Sequence, residues 1–427
     1  MTQLMDLRAK VLDREALANG ADWLVVAVAV SLPWSTTATG ILIALWLIAV
    51  VPTLSGNLVR REVASAAGGL PVLLWVIAAI GMAWASWTEV TWHERLGGLD
   101  GFHRLLAIPI LLAQFRRSAH GIWVLHGYLG SVAALLLASF TLVLFPDLPW
   151  HTPTYGVPVK DYIFQSEQFL ICTVVLLAFA CTDIRAGRWA TAMALIALAT
   201  LFTVNILFVT TGRTTLLVIP VLALLLAWRE LRWKGVLGAV LTAAIIVPAA
   251  WFASPYLRQR LQTSLHDYQV YLTADDLSST AEHLEFIRKS ISFVETAPLI
   301  GHGTGSIPQQ FRNSVAGQTG VASLASDNPH NQILTVAVQL GLLGASVLLA
   351  MWAAHLMLFR GAGLTNWIGL VMVVQNVVAS LFNSHLFDFG EGWLYVFGVG
   401  VVGGMVLHAR DPAHKANALK LARTHDP

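Results

Sequence analysis

Apolar residues in this chain neither alternate nor recur at helical spacing over most of its length; they run together. Nearly charge-free stretches fall near residues 23–36, 38–54, 69–88, 97–114, 121–145, 166–182, 189–209, 213–228, 235–253, 329–358, 363–383 and 391–409. A helix needs about 20 mainly apolar residues to cross a bilayer. The pattern therefore predicts an all-α, polytopic membrane protein with about 12 transmembrane helices. Two runs are weak: Arg104 interrupts the fourth, and the eighth is short unless it begins at Thr211. One long polar segment breaks the series. Residues 1–253 are expected to hold helices 1–9, 254–328 a large loop, 329–409 helices 10–12 and 410–427 a cytoplasmic tail.

Composition agrees with that reading. The 427 residues are 56% hydrophobic and only 12% charged, about half the charged fraction of a soluble domain. Two cysteines, Cys172 and Cys181, are too few for a disulfide framework or a cysteine metal site. Arg8, Lys10 and Arg14 precede a first apolar run too long for a cleaved signal, so that run is expected to stay as an anchor. The net charge of +2 says little; its placement says more. With the N-terminus in the cytoplasm, the short inward segments hold Arg60 and Arg61, Arg116 and Arg117, Arg185 and Arg188, Arg229, Arg232 and Lys234, and Arg360. That is the distribution the positive-inside rule requires. The large loop then faces outward, together with Ser86–Arg104, the proline-rich Pro146–Gln168, and Leu381–Trp393 with Asn383, His385, Asp388 and Glu391.

Candidate chemistry gathers on the outward side. Arg213 sits in Val209-Thr-Thr-Gly-Arg-Thr-Thr215 between two apolar runs. Gly212 and Arg213 would open a helix at the membrane boundary, where free N–H groups and a fixed guanidinium form an anion site. In the loop, Leu284, Ile287, Ile291 and Val294 mark a helical stripe, with Arg288 at its edge. Gly301-His-Gly-Thr-Gly305, which includes His302 and Gly303, lacks the strand and acidic residue of a dinucleotide fingerprint and reads as a tight turn. Asp327-Asn-Pro-His-Asn331 reads as a helix start with Pro329 in the first position and His330 in the first turn. The helix dipole disfavours an imidazolium there and would keep a neutral base available. No H-E-x-x-H, paired-Asp or cysteine ligand set is present, so neither a metal nor another cofactor is expected.

Thr211-Gly-Arg213, the loop turn Pro298-Leu-Ile-Gly-His-Gly303, and Pro329-His-Asn331 followed by Gln339-Leu-Gly341 resemble, in order and membrane placement, the O-antigen ligase and polymerase superfamily over roughly Val209–Ala350. The resemblance implies a GT-C-like glycosyltransferase of the bacterial inner membrane with a helical periplasmic loop. It implies transfer of glycan from an undecaprenyl pyrophosphate-linked donor, and for a ligase a lipid A-core acceptor, amid membrane lipid and with no nucleic acid. It makes His330 and Arg213 the expected catalytic pair. Arg288 is the expected second cation, although family members often carry arginine near the loop-helix start, where this sequence has His283. Gly212, Asn331, Gly303, His302 and Arg104 complete the expected substrate contacts. A polymerase or a protein O-oligosaccharyltransferase is the alternative within the superfamily. A twelve-helix secondary transporter is the alternative outside it, disfavoured because most apolar runs are clean and polar residues gather at one face.

If the loop is periplasmic, cysteines introduced at Gln269 and Thr319 will react with an impermeant thiol reagent in intact spheroplasts. Labelling that required lysis would reverse the topology.

Overall fold

The computed structural model describes residues 14–411 except 87–88, 151, 211, 254–257, 260–261 and 264–278. Arg8, Lys10, Thr211, Arg260, Gln269, most of the start of the loop and the C-terminal segment from 412, expected as a cytoplasmic tail, thus lie outside the described residues.

All regular structure among the described residues is helical. The helices are α1 Arg14–Ser31, α2 Thr36–Val50, α3 Gly56–Val63, α4 Ala66–Gly81, α5 Trp92–His103, α6 Ala107–Phe115, α7 Gly121–Leu144, α8 Tyr162–Arg185, α9 Trp189–Phe208 and α10 Arg213–Ala253. Then follow α11 Ser279–Thr296, α12 Ile307–Ser314, α13 Gln332–Leu358, α14 Leu364–Ala379, α15 Phe389–Phe397 and α16 Gly403–Arg410. Local chemistry sets many of their starts. Ser35, Ser55 and Ser65 each accept a first-turn N–H, and Asp161 accepts two at the head of α8. Thr91 and Glu94 form a reciprocal capping box.

Each expected apolar run lies on a helix, which makes the chain a polytopic membrane protein. Eight helices among the described residues are long and apolar enough to cross a bilayer, or nine if α3 and α4, bent by 85°, count as one span. The shortfall from twelve has local causes. Within its 18 residues α1 carries Arg14, Glu15 and Asp22, the α4 and α14 segments have only 16 residues each, and α10 joins two runs across a break at Arg232, where φ is 55°. At the centre of the bundle α8 is buried nearly all round, and its first turns carry the buried polar residues Gln165, Ser166, Glu167 and Gln168.

The glycine turn and α13 form one joint. At Gly341 φ reaches 64° and ψ −163°, so the helical hydrogen-bond ladder stops there. The turn supplies what is missing. His302 N–H donates to Val338 O at 2.9 Å and Gly303 N–H to Gln339 O at 2.8 Å. In return, Pro298 O accepts from Leu342 N–H at 2.7 Å and Leu299 O from Leu343 N–H at 3.1 Å. Backbone groups freed inside a membrane protein must find such partners.

The loop shares its core with the bundle: Phe286, Phe293, Ile307 and Phe311 pack with Val338 of α13. One expectation about this region changes: the buried face of α11 is not the Leu284–Val294 stripe. Ala281, Glu285, Phe286, Lys289, Ser290 and Phe293 are buried, while Ile291 is largely exposed. Lys289 turns inward because its ammonium donates to the carbonyls of Ala322 and Leu324.

The left-handed conformation of Gly303, with φ 90°, and the position of an added Cβ 2.4 Å from Ala85 N leave no room for a side chain. Gly303→Ala will therefore cost at least about 1–3 kcal/mol of stability. A lowered melting temperature in detergent would register it, and an unchanged one would show that the joint is soft.

Candidate functional site

One end of the bundle brings together the start of α10, the loop helix α11, residues 327–331 and the connection 380–388. Each is fixed by polar contacts. Gly212 is buried against α8, where an added Cβ would lie 2.7 Å from Ser166 Oγ, and Ser166 itself bonds Thr215 at 2.7 Å. This close approach seats Arg213 at the first position of α10.

His330 lies outside its helix. Asn331 is the cap, its side chain accepting Leu334 N–H at 3.0 Å, so α13 begins at Gln332 and neither Pro329 nor His330 occupies the first turn. Asn328 was the competing cap, but its oxygen accepts His330 N–H at 2.9 Å and the Ser384 hydroxyl at 2.6 Å. This turn puts His330 at φ 53°, a conformation rare outside glycine and frequent at functional sites. Asn331 Nδ2 donates to Leu381 O at 2.9 Å, tying the turn to the 380–388 connection.

The ring of His330 stacks on His283 of α11, with centroids 4.1 Å apart, and on Phe286 at 5.9 Å. Burial first, then the charges of His330 and Arg213, push His283 down to about 4. His283 is thus in contact with His330 and feels the charge of Arg213, the two residues the sequence marked as catalytic. Arg288 does not. At about 100° per residue it sits roughly 200° around α11 from Phe286. It is mostly exposed, and its guanidinium grips Glu285 at 2.8 and 2.5 Å.

Behind His330 runs a polar chain. Its Nδ1 lies 3.1 Å from Asn383 Oδ1, and Asn383 Nδ2 meets Asp388 at 3.4 Å. Asp388 lies 3.2 Å from His385 Nδ1, whose Nε2 lies 3.1 Å from Glu167; Glu391 is 4.0 Å away. The His385 side chain is only 1% exposed. Burial disfavours its imidazolium, but Glu167, Asp388 and Glu391 outweigh that and raise it to about 9. Ligand atoms of Glu167, His385 and Glu391 lie within 4.8 Å of one another, a spacing that could hold a cation. The cations already there compensate the carboxylates: imidazolium His385, Lys160, which faces Glu391, and Arg104, which donates to Asp388 O.

Arg104 lines a polar cleft of about 560 Å³ with Asp100, Asn328, Gln339, Ser384 and Asp388. His302 is engaged elsewhere, its Nε2 lying 2.9 Å from Phe293 O at the end of α11, and Gly303 belongs to the joint with α13. The sequence reading thus brought Arg213, His330 and Asn331 to one place, and Arg104 to the cleft beside it. It named His283, Asn383 and His385 without giving them a role at the site, and passed over Glu167. Glu167 had left a signal, a carboxylate beside an otherwise apolar run, which is costly in a bilayer without a role.

Residues 196–349 match a family model described as O-antigen ligase. No curated protein matches the chain. The matched segment contains Arg213, His283 and His330, and ends before the 380–388 connection.

His283 binds a proton more weakly folded, at about 4, than in an unfolded chain, at 6.5. The stability its neutral ring contributes is complete above pH about 6.5 and is lost as pH falls toward about 4. His283→Gln will therefore shrink the drop in melting temperature across that window. An equal drop in both proteins would mean that His283 titrates normally.

Proposed function

Residues 196–349 match the O-antigen ligase family model, and on that premise we propose that the chain is a ligase of the O-antigen ligase and polymerase superfamily. It transfers O-antigen polysaccharide from undecaprenyl pyrophosphate to lipid A-core, at the periplasmic face of a bacterial inner membrane. The observation that carries this reading is the convergence of Arg213, His283 and His330 at one end of the bundle, inside the family segment.

The reaction is a single inverting displacement. An acceptor sugar hydroxyl attacks the anomeric carbon of the donor, the bond from that carbon to the pyrophosphate oxygen breaks, and undecaprenyl pyrophosphate leaves. His330 takes the hydroxyl proton as general base. Arg213 stabilises the charge that grows on the departing pyrophosphate, its forked guanidinium matching paired phosphate oxygens. Neutral His283 packs flat against His330 without adding charge to it. Arg288, expected as a second cation, is proposed here as a partner of Glu285 that holds α11. Arg104, buried at the edge of the polar cleft, is better placed to meet a sugar or phosphate.

A deletion strain separates the ligase from a polymerase of the same superfamily. Loss of a ligase leaves lipid-linked polymer intact but unattached, and loss of a polymerase abolishes polymer. Complementation with His330→Ala should lower the transfer rate roughly 10²–10⁴-fold, the contribution of a general base. Arg213→Lys should lose most activity while still accumulating in the membrane, since ammonium lacks the fork. Normal attachment with both variants would remove these residues from the chemistry.

A further inference from the structure

A general base needs its proton on the right nitrogen, and the contacts around His330 determine which one that is. Asn328 Oδ1 accepts from Ser384 and from His330 N–H, which turns the Asn328 amide nitrogen toward Asn383 Oδ1 at 3.4 Å. On the other side, Asn383 Nδ2 meets Oδ2 of Asp388 at 3.4 Å. An ionised carboxylate only accepts, and an amide nitrogen only donates. Both neighbours therefore demand the same orientation of Asn383, nitrogen toward Asp388 and oxygen toward His330. That oxygen faces His330 Nδ1 at 3.1 Å. Since it offers no proton, Nδ1 must carry one, and a neutral ring then has its lone pair on Nε2.

The brace behind Asn383 is built from ion pairs. Asp388 lies against His385, which is itself held among carboxylates of three elements: Glu167 on α8, Asp388 on the 380–388 connection and the more distant Glu391 on α15. Ser384 adds a second tie, bonding Thr335 of α13 at 2.6 Å. Leu386 N–H donates to Gln332 at 3.0 Å. The connection that carries Asn383 is thereby fixed to α8 and α13 at once.

We propose that Asn383, braced by Asp388 and the buried His385 ion pairs, is a positioning residue that holds the proton of His330 on Nδ1 and leaves Nε2 as the atom that accepts the hydroxyl proton. The proposal rests on the reading of His330 as general base, yet its first half concerns the resting protein alone. The mechanistic role of the His385 cluster then becomes indirect: it orients Asp388, which orients Asn383.

Nitrogen-15 spectra of full-length protein labelled at histidine, reconstituted in lipid nanodiscs at neutral pH, read the tautomer directly, with His330→Gln identifying the His330 signals. The expected result is a protonated Nδ1 and a bare Nε2 in the native protein, replaced by a mixture of tautomers in Asn383→Ala. Transfer by Asn383→Ala should fall by up to the roughly 10²–10⁴-fold that a general base contributes, through kcat rather than donor KM. The proposal is overturned by a proton on Nε2 in the native protein, or by Asn383→Ala leaving the tautomer unchanged. The native spectrum needs no variant at the tested position, so an unstable Asn383→Ala leaves that arm standing. A fixed Nδ1 proton together with full activity in His330→Ala would uphold the positioning and overturn the general base.

Discussion

A membrane interior supplies no water to backbone groups, so a spanning helix can break only where protein completes its hydrogen bonds. The break of α13 at Gly341 meets that condition by taking in the turn 298–303, backbone to backbone. Gly301 and Gly303 are required because a Cβ at Gly301 would meet the α13 backbone at Gln339 and one at Gly303 would meet Ala85. The consequence reaches the site. The turn follows α11 directly, so docking it fixes the end of α11, and the shared core of Phe286, Phe293, Phe311 and Val338 fixes its face. His283 and His330 come from different elements and meet because that joint leaves α11 one place to lie.

Buried charge is the second organising feature of this end. Glu167, His385 and Glu391 are all nearly inaccessible, and burying charges costs more than a surface pair returns unless partners and geometry are good. Imidazolium between carboxylates, with Lys160 and Arg104 close by, makes the arrangement tolerable. Its use lies in what it holds still. Asn328, Asn331, Gln332 and Thr335 on the α13 side all bond into residues 380–386, so the start of α13 and this connection act as one rigid unit. Precision at His330 is assembled from that unit on one side and α11 on the other.

How much of this the sequence revealed depended on the kind of force involved. Membrane helices were legible because a bilayer imposes a length and a composition, and every apolar run lies on a helix. Arg213 and His330 were legible because polar residues at helix boundaries stand out against apolar runs. The start of α13 was misplaced because Asp327, Asn328 and Asn331 can all cap, and only the contact of Asn328 with Ser384 decides among them. The buried face of α11 was misread because Lys289 points inward to donate to loop carbonyls and Glu285 is buried beside it, accepting from Arg288, which hydrophobic periodicity does not register. Arg288 was placed at the edge of that stripe, and its guanidinium is found exposed against Glu285. Asn383 and His385 were noticed only as members of an outward segment, since their partners lie far away in the chain.

The central claim is that this end of the bundle moves a glycan from a lipid pyrophosphate to a lipid-anchored sugar. Proteoliposomes containing the purified protein, radiolabelled lipid-linked glycan and lipid A-core test it most directly. The account predicts that label moves to lipid A-core with inverted anomeric configuration, and that undecaprenyl pyrophosphate is released in equal amount. Label that stays lipid-linked and lengthens while lipid A-core remains bare would contradict it.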